Sequence, residues 1–124
     1  MQLDQLRSYA LSLPETSEEP HFNYSSFRVK GKIFVTVPPD EKFAHVFVDD
    51  EQRDMAVTLY PEAIQPLMWG KKIVGVRISM AKAKVGFVRG LVHSAWARRA
   101  PRSLARPSPR SNNSFKPKPL RGSA

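Results

Sequence analysis

An alternation in the second quarter of the chain limits the fold more than any other feature. Phe27, Val29, Ile33, Val35 and Val37 all stand at odd positions, interrupted by Lys30-Gly31-Lys32. A period of two puts every second side chain on one face of a pleated strand, and a glycine between two such runs supplies the positive φ of a hairpin turn. The pattern returns later: residues 67–69, then Gly70-Lys71-Lys72, then an apolar run over 73–78. Residues 43–48 read as a further short strand, entered from Pro38-Pro39-Asp40. Two hairpins and an extra strand demand an antiparallel sheet with one apolar face, and that face needs helices to cover it.

The helices are marked by spacing and by caps. Leu3, Leu6, Ala10 and Leu13 recur at helical intervals before Pro14 ends the run. Asp49 stands where an N-cap belongs, with Gln52 in the capping-box position and Glu51 in the first turn. Met55, Ala56 and Leu59 form the expected buried face, and Pro61 stops the helix. Ser79 can cap a last helix over about 80–99, with Val85, Val88, Leu91, Val92, Ala95 and Trp96 as its apolar stripe. Residues 15–23 are polar and read as a connection. The expected architecture is α+β in two layers, an antiparallel sheet with helices on one face, in the order α-β-β-β-α-β-β-α.

Charge divides the chain unevenly. Residues 1–62 hold 6 basic and 11 acidic groups, and residues 63–124 hold 14 basic groups and no acid, for a total of +9. An acid-free basic half points to an anionic partner. Residues 106–124 contain four prolines, five basic residues and no apolar period. Such a segment has too little apolar surface to offset the entropy of ordering it, and it reads as a disordered basic Pro/Ser-rich tail. Residues 1–105 form the domain and carry +4.

Other chemistries find little support. The chain has no cysteine, which removes disulfides, zinc thiolates and a thiol nucleophile. His21, His45 and His93 show no metal-ligand spacing, so neither a metal site nor a cofactor is expected. His93-Ser94 lacks a nucleophile elbow and has no acid after Glu62 to orient it. Glu15, Glu18 and Glu19 sit on a polar connection and suit a solvated loop. No uncharged run exceeds eight residues, and the N-terminus has no signal-peptide core. A cytoplasmic, non-enzymatic monomer without a membrane role is the expectation.

Several segments resemble one known family. Glu18-Glu19-Pro20-His21-Phe22, Ser26-Phe27-Arg28-Val29 and Gly31-Lys32-Ile33-Phe34 are similar to the opening signature of the MmcQ/YjbR family. Tyr60-Pro61, Trp69-Gly70-Lys71 and the stretch from Ala95-Trp96 to Ala100-Pro101 resemble its later part. The resemblance covers about residues 1–105. It implies a small secretion-chaperone-like or frataxin-like domain, and members are often labelled DNA-binding. No family chemistry comes with it.

The candidate site is the sheet face turned away from the helices. If odd positions face inward, Arg28, Lys30, Lys32, Phe34 and Thr36 face outward. Lys71, Ile73 and Arg77 join them from the second hairpin, and His45 and Phe47 from the strand between. Trp69, Lys71 and Lys72 form a second cationic–aromatic group at a turn. Cations take phosphates and aromatic faces stack on unpaired bases, so Arg28, Lys30, Lys32, Phe34, Trp69, Lys71, Lys72 and Arg77 are the candidate nucleic-acid ligands. An open sheet face needs polar residues in any case, and lysine also guards edge strands. A two-residue first turn would shift the parity of the second strand and disperse the group. The other expectation is a protein-interaction module, using an apolar patch of Phe34, Phe47 and Ile73.

Overall fold

The leucine spacing of the first segment does form a helix, α1 (Leu3–Ser12), which fully buries Leu6 and Ala10. In the computed structural model, residues 1–105 are described. The tail expected over 106–124 lies outside the described residues. After α1 come β1 (Thr16–His21), β2 (Tyr24–Val29), β3 (Lys32–Val37) and β4 (Phe43–Val46). Then follow α2 (Asp50–Leu59), β5 (Ile64–Trp69), β6 (Lys72–Ser79), α3 (Val85–Arg99) and the short α4 (Arg102–Ala105). The strands form one antiparallel sheet in the order β1-β2-β3-β4-β6-β5. The fold is the expected α+β class, with one strand, β1, added where the sequence suggested a polar connection.

β1 escapes a pattern search because it is an edge strand with no fully buried residue. Its sequence, TSEEPH, offers the core no hydrophobic side chain, and its pairing with β2 runs unbroken from Thr16↔Val29 to His21↔Tyr24. Pro20 can sit there because an edge strand tolerates a missing donor. The opposite edge, β5, likewise carries a proline, Pro66.

The core is shared by both layers. Phe27, Phe34, Val35, Val46, Ile64, Val76 and Ile78 from the sheet meet Leu6, Val88, Leu91, Val92 and Trp96 from the helices. Fully burying an aliphatic or phenylalanine side chain contributes about 1.5–3 kcal/mol, so this cluster is the main stabilising element. Trp96 also donates from Nε1 to the Pro14 carbonyl at 3.0 Å, joining α3 to the end of α1.

The Asp49 cap forms as expected, its carboxylate accepting from the Gln52 N–H at 2.9 Å. The buried face of α2 is narrower than its spacing suggests. Ala56 is buried, whereas Met55 and Leu59 are exposed. Ser79 does not cap α3, because β6 runs through Ser79 to pair with Phe43, and the helix starts only at Val85. Val85 accordingly lies at the margin of the stripe and is half-buried.

The first hairpin turns on two residues, Lys30 (φ 51°) and Gly31 (φ 81°), so that Val29 pairs with Lys32. Positive φ at both central positions is the turn whose twist matches the strands, and Gly31 takes the larger angle without a Cβ penalty. Counting from that turn puts Ile33 opposite Arg28. The register then slips: Phe27 pairs with Val35, leaving Phe34 as an extra residue in a β-bulge. The short turn shifts the parity of β3 and the bulge shifts it back. A second bulge lies across the sheet, where Leu67 pairs with Gly75 and Met68 with Ile73, leaving Val74 without a partner.

Candidate nucleic-acid interface

The two bulges flank a gap. β4 ends at Val46, and beyond it no strand among the described residues lies between β3 and β6. Phe47 fills the gap. It donates its N–H to the Phe34 carbonyl at 3.1 Å, its side chain is 4% exposed, and its ring meets Trp69 edge to face with centroids 5.2 Å apart. The backbone of Val46 and Phe47 needs room on β6, and Gly75 gives it. A Cβ there would stand 2.2 Å from the Val46 carbonyl oxygen and 2.9 Å from the Phe47 Cα.

A cleft of about 450 Å³ opens over this gap, lined by His21, Arg28, Gly31, Lys32, Ile33, Thr36, Phe47, Trp69, Val74 and Arg99. Its floor is apolar, with Ile33, Val74 and the two aromatic rings. Its charged lining is cationic, and none of the ten residues carries a carboxylate. Arg28 is held in place: Nε donates to the Ser26 hydroxyl at 3.1 Å and Nη2 to the Pro20 carbonyl at 3.4 Å. Ser26 is itself buried and donates to the Glu19 carbonyl at 2.6 Å. Arg99 enters from α3, and its Nε is buried with no hydrogen-bond acceptor among the described residues. Buried donors are nearly always satisfied, so this orphaned N–H is unusual, and it belongs to a side chain that lines the cleft.

A second hollow, about 390 Å³, shares His21, Thr36 and Trp69 with the first and adds Phe22, Asn23, Tyr24 and His45. Its lining is aromatic. Phe22 stands at the two-residue tip between β1 and β2 with φ 58° and is 92% exposed. His45 lies near Thr36, Nδ1 to Oγ1 3.4 Å, and burial beside Arg77 holds its pKa below the ordinary imidazole value.

The expected ligands divide on these contacts. Arg28, Lys32 and Trp69 converge on the cleft. Phe34 does not belong to it. As the bulge residue it is fully buried in the core, which corrects the expectation that it faces outward. Ile33, expected inward, takes a place in the cleft because the two-residue turn pairs it with Arg28. Lys30 sits at the turn and pairs with Glu15 at 3.0 Å, outside the lining. Lys71 and Lys72 are exposed at and beside the β5–β6 turn and do not line the cleft. Arg77 is on the same face, opposite His45, but its guanidinium carbon stacks 3.5 Å over the centre of the Phe43 ring. Of the apolar patch expected for a protein partner, Phe34 and Phe47 are buried and Ile73 is exposed.

Arg99, His21, Phe22 and Tyr24 were absent from the expected site. Arg99 comes from the helical layer, and no single-strand periodicity shows that a helix end reaches a sheet bulge. The Phe22-Asn23 pair did carry a signal, since asparagine favours a tight turn, but reading it requires β1 to be recognised first.

A larger concavity, about 780 Å³, lies elsewhere, beside the N-terminus, with Asp4, Arg7, Glu41 and Lys42 in its lining. Its charges are mixed, and Arg7 is engaged by Asp4 at 3.0 Å and Glu18 at 2.8 Å. Among the described residues, no three His, Asp or Glu side chains gather to hold a metal ion. No helix among them is long and apolar enough to cross a membrane.

A six-stranded antiparallel sheet backed by helices, with a cationic–aromatic cleft where β4 stops, defines a small two-layer α+β domain. The chain belongs to the YjbR family, whose model matches residues 11–98. Its fold is similar to the crystal structure of a Deinococcus radiodurans protein with a DUF419 domain, at a TM-score of 0.68 and 20% identity. That likeness covers 78% of this chain and 77% of the other, and at such identity it speaks to the fold alone. No curated protein matches the chain.

Proposed function

We propose that this protein is a non-enzymatic, monomeric nucleic-acid-binding module of the cytoplasm, acting on DNA through the cationic–aromatic face of its sheet. The observation that carries the reading is the cleft itself. It brings Arg28, Lys32 and Arg99 together without a carboxylate, and the Arg99 Nε is buried with no acceptor among the described residues. Phosphate oxygens supply acceptors and counter-charge at once, and Trp69 gives a base a surface to stack on.

The test is fluorescence anisotropy with a labelled random oligonucleotide over a series of salt concentrations, for the full chain and for residues 1–105. Both are expected to bind at low salt, with affinity falling linearly on a log–log scale. Arg28→Gln, Lys32→Gln and Arg99→Gln are each expected to reduce that slope by about one. Absence of low-salt binding by residues 1–105 overturns the reading.

A second reading, a protein-interaction module, draws on the cross-strand pair Met68 and Ile73, which are 50% and 44% exposed beside Trp69. A stoichiometric protein partner that survives nuclease treatment would support it.

A further inference from the structure

Phe22 is the residue least explained by folding. A phenylalanine is held at φ 58°, in the left-handed region, where glycine or asparagine is at ease and a bulky side chain is strained. Its ring is 92% exposed, so core burial does not account for it. Strain of this kind persists where the surrounding structure enforces it, and it gathers at sites that bind. Here the enforcing structure is the hairpin pairing of His21 with Tyr24, and the His21 ring packs edge-on against Phe22 at 4.9 Å.

The position is informative. Phe22 and Trp69 come from the tips of hairpins at opposite ends of the sheet order, yet both line the aromatic hollow. That hollow joins the cationic cleft through His21, Thr36 and Trp69. One half therefore offers flat rings and the other offers guanidinium and ammonium groups. A nucleotide has the same two halves.

We infer that Phe22 and Trp69 form a clamp for one unpaired base, with the adjoining phosphate on Arg28 and Arg99, so that the ligand is single-stranded nucleic acid. This rests on the nucleic-acid reading and narrows it. A duplex keeps its bases stacked on each other and offers no free ring face to the hollow. Phe22 is the jaw open to solvent, and Trp69 is the one packed against Phe47.

The experiment uses the full chain and its Phe22→Asn variant, with oligothymidylate of about 12 nucleotides, a duplex of the same length, and thymidine monophosphate as probes. Asparagine keeps the left-handed turn and removes the ring, so folding is preserved, which the thermal transition checks. Tryptophan emission gives the readout. Trp96 is buried, so quenching by a stacked base reports Trp69. The expected result is quenching by the single strand, weaker binding of the duplex and the monophosphate, and about a tenfold loss of single-strand affinity in Phe22→Asn. Salt-dependent binding of strand and duplex alike, without quenching and unchanged in Phe22→Asn, overturns the clamp and leaves the broader reading standing. Monophosphate binding as tight as the strand's also overturns it. If no probe binds at low salt, the broader reading and the clamp fall together.

Discussion

The rings of Phe47 and Trp69 meet edge to face across 5.2 Å, one 4% exposed and the other 55%. One residue of the pair belongs to the fold and the other to the surface. Phe47→Ala should cost about 3 kcal/mol, as truncation of a buried phenylalanine does. Trp69→Ala should cost about 1 kcal/mol, since half of its ring is already in water. Urea denaturation of the two variants measures the difference. Equal losses would mean that Trp69 is a core residue and would weaken its assignment to binding.

Gly75 predicts a sharp asymmetry between glycines. A Cβ there would overlap the backbone of Val46 and Phe47, which cannot swing aside as a side chain can. Gly75→Ala should destabilise the domain by about 3 kcal/mol. Gly90, inside α3, has nothing within 4 Å of its virtual Cβ. Gly90→Ala should stabilise by up to about 1 kcal/mol through helix propensity. Opposite shifts in the thermal midpoint are the expected outcome.

The Arg7–Glu18 pair sets an acid limit. Arg7 donates from Nε to Oε1 at 2.8 Å and from Nη2 to Oε2 at 3.2 Å, and Ser25 donates to Oε2 at 2.5 Å. The Arg7 hydrogen bond, ahead of the opposing effect of burial and the help from Ser25, holds the Glu18 carboxyl below its ordinary pKa. A depressed carboxylate stabilises the fold above its unfolded pKa, and that stabilisation is lost as pH falls through the folded one. Glu18→Gln should therefore lose about 1 kcal/mol at pH 7, modest because the pair is partly solvated. The gap to the parent should close as pH drops below about 4. Denaturation curves at pH 7 and in acid test this.

His45 acts in a neighbouring pH window. Burial first, then the Arg77 charge, lowers its pKa in the folded state. Below about 6.5 the unfolded chain takes up a proton that the folded chain refuses, so stability declines as pH falls through that value. His45→Gln should flatten the stability profile between pH 6.5 and 5. A profile unchanged by the substitution would show that His45 titrates equally in both states.

How far the fold was legible follows from which forces leave a periodic mark. Leu6 and Ala10, or Val88, Leu91, Val92 and Ala95, sit at helical spacing because one face of each helix is apolar. Val35 and Val37, or Val76 and Ile78, alternate for the same reason in strands. β1 left no mark, because an edge strand with little burial needs none. The bulges at Phe34 and Val74 were equally hidden, since an apolar residue fits the alternation whichever way it turns. The hidden turn length and bulges decide the site: the two-residue turn puts Ile33 beside Arg28 and Phe34 inward, the first bulge returns Val35 to the core, and the second leaves Val74 at the cleft. Arg28, Lys32 and Trp69 were legible as types of residue, while their meeting with Arg99 depends on a contact between layers.

The prolines at the two margins of the sheet have a consequence for assembly. Pro20 in β1 and Pro66 in β5 each remove a backbone donor from an outermost strand. A foreign strand laid along either margin finds its ladder interrupted, and on the β1 side it also meets Glu18 and Glu19. Lateral growth into filaments or swapped dimers is discouraged at both ends. Strand addition, which reads backbone rather than side chains, is thereby disfavoured as a way of engaging this sheet.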